Sequence, residues 1–501
     1  MFLPLSSGNA RAEPVLRRGK LSFYKGFATA EGVTARPNVP AGPILWHPLL
    51  FLGTAGPSGQ ALLPIGLAPT RKRMAPGAVP HAERFMSETL LNRSDDSGSE
   101  ERVYDPLDPV VKQEPYPFYA KLRRDDPVTW LPSLQAFGVA RYEDVDALLK
   151  NGKLYSSSMF WPALLGEYDP VPEVPPMISM DPPGHVHLRK LANKAFVPSK
   201  IKILVDRTYE VANELIDDII AKHGQEGEFD FATDFCALYP VTVIAQVLGV
   251  PTARRAEFKI WVDNILAAAN RAAYGPERLA EIQDSSDKVR AFFEDLYDER
   301  AADPQDDLIS QFIVAEIDGE KMSRIEVIQM SILLLIGGVE TTTNLLGTTL
   351  VELKRHPEVY ARVRANPELI PALIEEVLRY NPPVQILFRH TMEDTELGGV
   401  KIPKGSTVMP LLASANRDES KFADPEVFDI DRKIAFPLMS FGQGPHFCLG
   451  NYLSRMEARS ALETVFERFE LLEPLSDEVD WLDSYFARGP HHLKVRFRAR
   501  S

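Results

Sequence analysis

The stretch MSRIEVIQMSILLLIGGVETTTNLLGTTLVELKRHP, from Met322 to Pro357, constrains the fold of this chain most. Ser323 followed by Glu326 fits a capping box, and His356-Pro357 ends the run. Roughly 32 residues at 1.5 Å each make a helix of about 48 Å, long enough to cross a whole domain. Its N-terminal half is apolar nearly all round, so it is expected to be buried. At its middle sits GGVETTT, Gly337 to Thr343. Each glycine costs about 1 kcal/mol against alanine, the β-branched threonines add to this, and a buried acid such as Glu340 is dearer still. Tight packing against small residues is one reading. The acid beside a hydroxyl favours the other, in which a weakened helix opens a groove for a ligand and Glu340 with Thr341 passes protons into it.

Composition bounds the class. The chain has 501 residues, 45% of them hydrophobic and 25% charged, with a formal net charge of −14. That excludes a general binder of nucleic acid or anionic membrane. Two distant cysteines, Cys236 and Cys448, rule out a disulfide framework and suit a reducing cytoplasm. The first stretch, to about residue 85, is rich in Pro, Gly and Ala and carries Arg71 to Arg73 as a basic cluster. It offers neither an uninterrupted apolar run of about 18 residues nor a secretory signal. Residues 1–103 are expected to be a disordered or non-native extension and linker, with Met74 or Met86 as alternative starts, and 104–501 a single folded domain.

Helical periods cover Pro117 to Arg124, Tyr142 to Leu149, Gly184 to Ala195, Ile201 to His223, Thr233 to Leu248 and Arg278 to Arg300. After Pro382 the texture becomes extended, with hairpin punctuation between Gly398 and Leu412 and a strand in HHLKVRFRA. The expected fold class is mainly α with a minor β portion. In PALIEEVLRYNPP, Glu376 and Arg379 stand three apart and can pair on one helical face. Cys448, in FGQGPHFCLG, precedes a helix, where free N–H groups favour a thiolate. Three readings compete for it: a buried structural cysteine, a nucleophile with His446 as base, and a thiolate ligand to haem iron. Cys236 lies in an apolar helical pattern and reads as core.

Taken in order, these pieces resemble the cytochrome P450 superfamily in its soluble bacterial form. FGQGPHFCLG is similar to the family's cysteine loop, GGVETT to its oxygen-activation motif, and EVLR to its E-x-x-R. DPPGHVHLRKLANKAF resembles its H-x-x-x-R helix, and ANRDESKFADPEVFDIDR its meander. The likeness runs from about Tyr104 to Arg498.

The resemblance implies a haem-thiolate monooxygenase holding haem b, with Cys448 as the iron ligand. His185, Arg189, Arg389 and His446 would meet the propionates, Phe441 would pack beside the sulfur, and Gly338 would lie against the haem. Gly444 and Gly450 would permit the loop's turn and its approach to the haem. Glu340 and Thr341 would take the catalytic acid and alcohol positions. Glu376 and Arg379 would form a structural pair. The family often adds an arginine where this chain has Val427, so Arg417 or Arg432 would stand in. The pocket for a hydrophobic substrate is expected from Phe160, Trp161, Leu164, Leu165, Leu334, Gly337, Val384, Ile386, Phe486 and Ala487. Electrons from NAD(P)H would arrive through a ferredoxin-type partner docking near Arg189, Lys190 and Lys194. The expected protein is a cytoplasmic monomer using O2, with no nucleic acid and no membrane. The rival readings are a peroxide-driven peroxygenase or haem-thiolate isomerase, a haem carrier or sensor without catalysis, and a cysteine hydrolase.

Overall fold

The computed structural model describes residues 103–196, 204–251 and 254–500. The expected extension and linker therefore lies outside the described residues up to 102, as do positions 201–203 of the expected helix from Ile201. Helix α1 (Tyr116–Asp125) leads into a hairpin of β1 (Val128–Leu131) and β2 (Ala136–Val139). Helix α2 (Tyr142–Lys150), the short β3 (Tyr155–Ser156), α3 (Phe160–Leu165) and α4 (Gly184–Ala195) follow. Then come α5 (Val205–His223), β4 (Glu226–Asp230), α6 (Leu238–Val247), α7 (Arg255–Ala267) and α8 (Pro276–Ala302). The long α9 (Arg324–Arg355) and α10 (Ile370–Tyr380) end the helical body. The remainder holds β5 (Arg389–Thr391), β6 (Thr407–Pro410), α11 (Asn451–Arg468), β7 (Phe469–Pro474), β8 (Asp480–Trp481), β9 (Pro490–His492) and β10 (Lys494–Ala499). One sheet has the order β1-β2-β6-β5-β3, a second β7-β10-β4, and β8-β9 is a two-stranded ribbon. The fold is mainly α with a minor β portion.

Helix α9 is 32 residues long and is the axis of the body. It starts at the capping box, where Glu326 Oε2 accepts the Ser323 backbone N–H at 2.8 Å. It packs against α6, α7, α8, α10 and α11. By length and composition it could cross a membrane, yet residues 327–333 and 344–353 are buried inside the protein. The expected weakening at GGVETTT does not break it: helical geometry is continuous from end to end.

The helix expected from Thr233 divides in two, a π-helical turn (Ala232–Cys236) and α6. Pro240 explains part of this. It has no N–H to give the carbonyl of Cys236, and Thr343 Oγ1 on α9 donates to that oxygen at 3.0 Å instead. Cys236 itself is wholly buried, as expected of core.

Helix α10 carries the structural pair. Arg379 Nε and Nη2 donate to the two carboxylate oxygens of Glu376 at 2.8 and 2.7 Å. The remaining guanidinium hydrogens go to the carbonyls of Asn416, Pro425 and Val427. Glu376 also accepts the Asp429 N–H at 2.9 Å. The third member of the group is Arg432, whose Nε lies 3.4 Å from Glu376. Arg417, the other candidate, is committed elsewhere: it pairs with Glu426 and lies 3.5 Å over the rings of both Tyr116 and Tyr380. With both Glu376 and Arg379 cut off from water, removing one partner strands a buried charge. Arg379→Ala is therefore expected to lose about 3–5 kcal/mol of stability, measured by urea unfolding.

Candidate active site

The loop around Cys448 is closed by its own backbone. The Cys448 N–H donates to the Phe441 carbonyl at 2.9 Å, and Asn451 Nδ2, at the start of α11, donates to the Cys448 carbonyl at 2.8 Å. Gly442 and Gly444 take the positive φ values, 66° and 69°. A Cβ on Gly444 would stand 2.6 Å from the Leu149 carbonyl oxygen, so this glycine lets the loop press on α2. That differs from the approach to a ligand expected of it. Gly450 has an ordinary φ, and a Cβ there would meet the Cys448 Sγ at 3.9 Å. It lies in a turn, and its bareness leaves the sulfur's flank open. Phe441 lies under Arg455, whose guanidinium carbon is 4.3 Å from the ring centroid.

Burial pushes the Cys448 thiol above its usual range, opposed by the Gly450 N–H, Arg189 and Arg455. The helix terminus alone therefore does not yield the expected thiolate; burial outweighs it, and a metal cation would be needed to hold the sulfur ionised.

Four basic groups from three segments gather here. His185 and Arg189 come from α4, Arg389 opens β5, and His446 belongs to the loop. The rings of His185 and His446 are 4.1 Å apart. His185 is 1% exposed, and neither of its ring nitrogens has a partner. Arg389 is also buried and donates to the Phe388 carbonyl at 2.7 Å. Burial, then the charges of His185, Arg389 and Arg189, depresses His446 to about 3. Burial likewise takes Arg389 down to about 10, against the nearby Asp181. Arg189 is half-buried and feels Cys448, so it faces inward, whereas Lys190 and Lys194 are exposed. Of the three residues expected at a docking face, Lys190 and Lys194 are the exposed ones.

Helix α9 presents a narrow accessible strip within its buried length. Leu334, Gly337, Gly338 and Thr341, spaced i, i+3, i+4, i+7 on one face, are not buried. A Cβ on Gly337 would meet nothing within 4 Å, and one on Gly338 would touch only Ile244 at 3.7 Å. The three threonines diverge: Thr341 Oγ1 donates to the Gly337 carbonyl at 3.2 Å, Thr342 hydrogen-bonds Glu457 of α11, and Thr343 serves Cys236. Burial, aided by the charge of Asp263, raises the Glu340 carboxyl above its ordinary range.

Of the expected pocket residues, Leu164, Leu334, Gly337, Val384 and Phe486 keep accessible surface. Phe160 and Phe486 are joined by Phe388, at centroid distances of 6.1 to 6.3 Å. Ala487 bridges Val384 in antiparallel pairing and is itself buried. Leu165 and Ile386 are fully enclosed, the latter bridged to Leu411 in the second core cluster, so both are packing rather than pocket wall. Trp161 is 2% exposed and its indole N–H has no partner.

Sequence reasoning missed three residues here. Phe388 continues the i, i+2 spacing of Val384 and Ile386. Arg455 lies seven residues after Cys448, in the second turn of α11. Glu457 interrupts the apolar stripe Leu453, Ala461, Val465 on α11, and such an acid in a buried row was its signal. Burial pushes its carboxyl up to about 8. A folded-state acid raised this way binds protons that the unfolded chain has released, so stability falls as pH rises from the ordinary carboxyl range towards 8, by at most about 1.4 kcal/mol per unit. Glu457→Gln is expected to flatten that fall, seen as a smaller drop in Tm between pH 5 and 8.

A helical protein whose half-buried thiol loop lies beside basic groups held below their ordinary protonation is suited to hold an anionic prosthetic group. The comparisons name the family. The family model for Cytochrome P450 matches residues 127–497, and the chain belongs to that family. It is 38% identical to the Putative cytochrome P450 YjiB of Bacillus subtilis, over 72% of this chain and 89% of that protein. It is 35% identical to 6-deoxyerythronolide B hydroxylase of Saccharopolyspora erythraea, over 76% and 95%. Among solved structures, CYP109Q5 from Chondromyces apiculatus superposes with a TM-score of 0.73 at 40% identity, covering 79% of this chain and 99% of that one. CYP109E1 from Bacillus megaterium, in complex with testosterone, gives 0.69 at 34% identity, covering 76% and 99%. The chain is thus an oxidoreductase of the P450 monooxygenase family, which binds haem. The residues fit that group: orphaned His185 nitrogens and a buried Arg389 suit carboxylates, and Cys448 offers sulfur to a metal.

Proposed function

We propose that residues 104–501 form a haem-thiolate monooxygenase that inserts one atom of O2 into a hydrophobic small molecule by hydroxylation or epoxidation. The observation that carries this reading is the inward cluster His185, Arg189, Arg389 and His446, short of counter-anions beside a half-buried cysteine. Haem b, when bound, supplies dioxygen activation and oxygen transfer. Cys448 would ligate its iron, and the four basic groups would neutralise its propionates. Phe441 would pack beside the sulfur, and Gly338 would leave room for the group's face.

The chain's own residues supply substrate contacts and protons. The accessible strip of α9 and the trio Phe160, Phe388 and Phe486 present apolar surface, which suits a terpenoid, steroid, polyketide or fatty-acid-like molecule. Relatives acting on 6-deoxyerythronolide B and binding testosterone support that range. Thr341 Oγ1 holds a proton on the strip, and Glu340, whose carboxyl burial pushes above its ordinary range, would reload it from the solvent side. Exposed Lys190 and Lys194 offer charge to an acidic ferredoxin relaying electrons from NAD(P)H, and the cytoplasm is the compartment proposed.

Purified protein should give the red-shifted CO complex of a thiolate-ligated ferrous haem, and Cys448→Ala should abolish that band. Turnover with peroxide but not with ferredoxin, reductase and O2 would show a peroxygenase instead. Thr341→Ala is expected to cut product formed per NAD(P)H by about tenfold or more, with Thr341→Ser keeping most of it. Gly337→Ala should stabilise α9 by up to about 1 kcal/mol while weakening ligand-induced Soret shifts, because its methyl enters open space.

A further inference from the structure

The ribbon β8-β9 brings together a group that the oxygenase reading does not use. Asp480 pairs with His492 and Trp481 with Pro490, so the register steps and His491 is an extra, unpaired residue. In a regular strand, neighbouring side chains point to opposite faces. The bulge undoes that alternation, and the His491 and His492 ring centroids come within 4.3 Å. One potential ligand atom from each of Asp480, His491 and His492 lies within 4.8 Å of the others. His491 Nδ1 is 3.5 Å from Asp480 Oδ2.

A second observation concerns orientation. Asp230, at the end of β4, pairs through Oδ2 with His492 Nδ1 at 2.7 Å. Its other oxygen is fixed by the Leu493 and Ala232 N–H groups at 3.0 and 3.1 Å. A carboxylate anchored in this way sets the tautomer of His492 and leaves Nε2 as its free ligand atom, the arrangement that supports metal-bound histidines.

We propose that Asp480, His491 and His492 bind a divalent transition-metal ion, zinc by ligand chemistry, with Asp230 as the positioning residue for His492. Two imidazoles and one carboxylate suit zinc and leave a fourth, tetrahedral position for water; magnesium and calcium prefer oxygen-only sets. The three ligand residues are exposed, so an ion reaches them without opening the fold. The site closes the neck of the loop between β8 and β9, which carries Phe486 and Ala487. Behind it, Gly489 and Pro490 press on Asn344 and Gly347 of α9, where an added Cβ would approach within 2.2 and 2.6 Å. An ion there holds a loop that reaches the substrate pocket.

The test is calorimetric titration of the untagged, full-length holoenzyme with Zn2+ alone. One ion per chain is expected, with His491→Ala and His492→Ala each weakening binding by at least about tenfold and Asp230→Asn by about tenfold. The CO spectrum of each variant should match the unaltered protein, showing that the haem site is intact. No stoichiometric uptake, uptake unchanged in the His491→Ala/His492→Ala double variant, or displacement by equimolar Ca2+ overturns the metal site. Unchanged affinity in Asp230→Asn overturns the positioning role.

Discussion

The Glu376–Arg379 pair is the interaction on which the cysteine side of the molecule depends. Both charges are removed from water, and all five guanidinium hydrogens are used, two on Glu376 and three on carbonyls of the segment after β6. One of those carbonyls belongs to Asn416. Its side chain in turn accepts the Met439 N–H at 2.7 Å and donates to Ser440 Oγ at 2.8 Å. Met439 opens the short turn that ends at Phe441, whose carbonyl receives the Cys448 N–H. A continuous chain of hydrogen bonds thus runs from α10 to the backbone bearing the sulfur. In a dry interior such a network is worth most when every member is satisfied, and Arg432 supplies the charge that Val427 cannot.

The middle of α9 shows how one helix serves three neighbours at once. Consecutive positions on a helix point about 100° apart, so Thr341, Thr342 and Thr343 cannot share a partner. Thr341 takes the accessible strip, Thr342 the buried acid of α11, and Thr343 the carbonyl freed by Pro240. Low helix propensity is tolerated here because each hydroxyl meets a need that alanine would leave unmet. Gly337 lacks even that compensation: nothing packs on it. Its value lies in the empty space before it.

Much of this was legible in the chain because the signals are local. The capping box and His356-Pro357 bounded α9, and the cysteine loop, the acid–alcohol pair and E-x-x-R each occupy a few residues. What escaped depends on tertiary partners. Arg417 and Arg432 are equivalent as letters; only the stacking of Arg417 between Tyr116 and Tyr380 leaves Arg432 for Glu376. Gly444 reads as a turn, but its bareness answers to Leu149, almost 300 residues earlier. Leu165 and Ile386 match the greasy character of a pocket wall, yet apolar composition alone cannot separate a wall from the core behind it.

Charge explains why the site is incomplete as a protein alone. The chain is acidic overall, at −14, and could have paired every cation at its surface. Instead His185, Arg189, Arg389 and His446 converge inside, where burial drives His446 and Arg389 below their ordinary ranges. Asp181 is the nearby acid, and it is already engaged by the hydroxyl of Ser156 and the N–H of Ser157. Burying basic groups without counter-charges opposes folding in their charged form, which their lowered pKa values reflect. An anion bound among them reverses that term and restores their ordinary protonation, so uptake of the group and stability of this region are linked: whatever binds the folded form alone stabilises it. The same linkage acts on Cys448. Burial pushes its thiol above the usual range, and a metal cation at the sulfur would favour the thiolate. On the proposed reading, the propionate side and the sulfur side of the site would therefore be completed in one binding event.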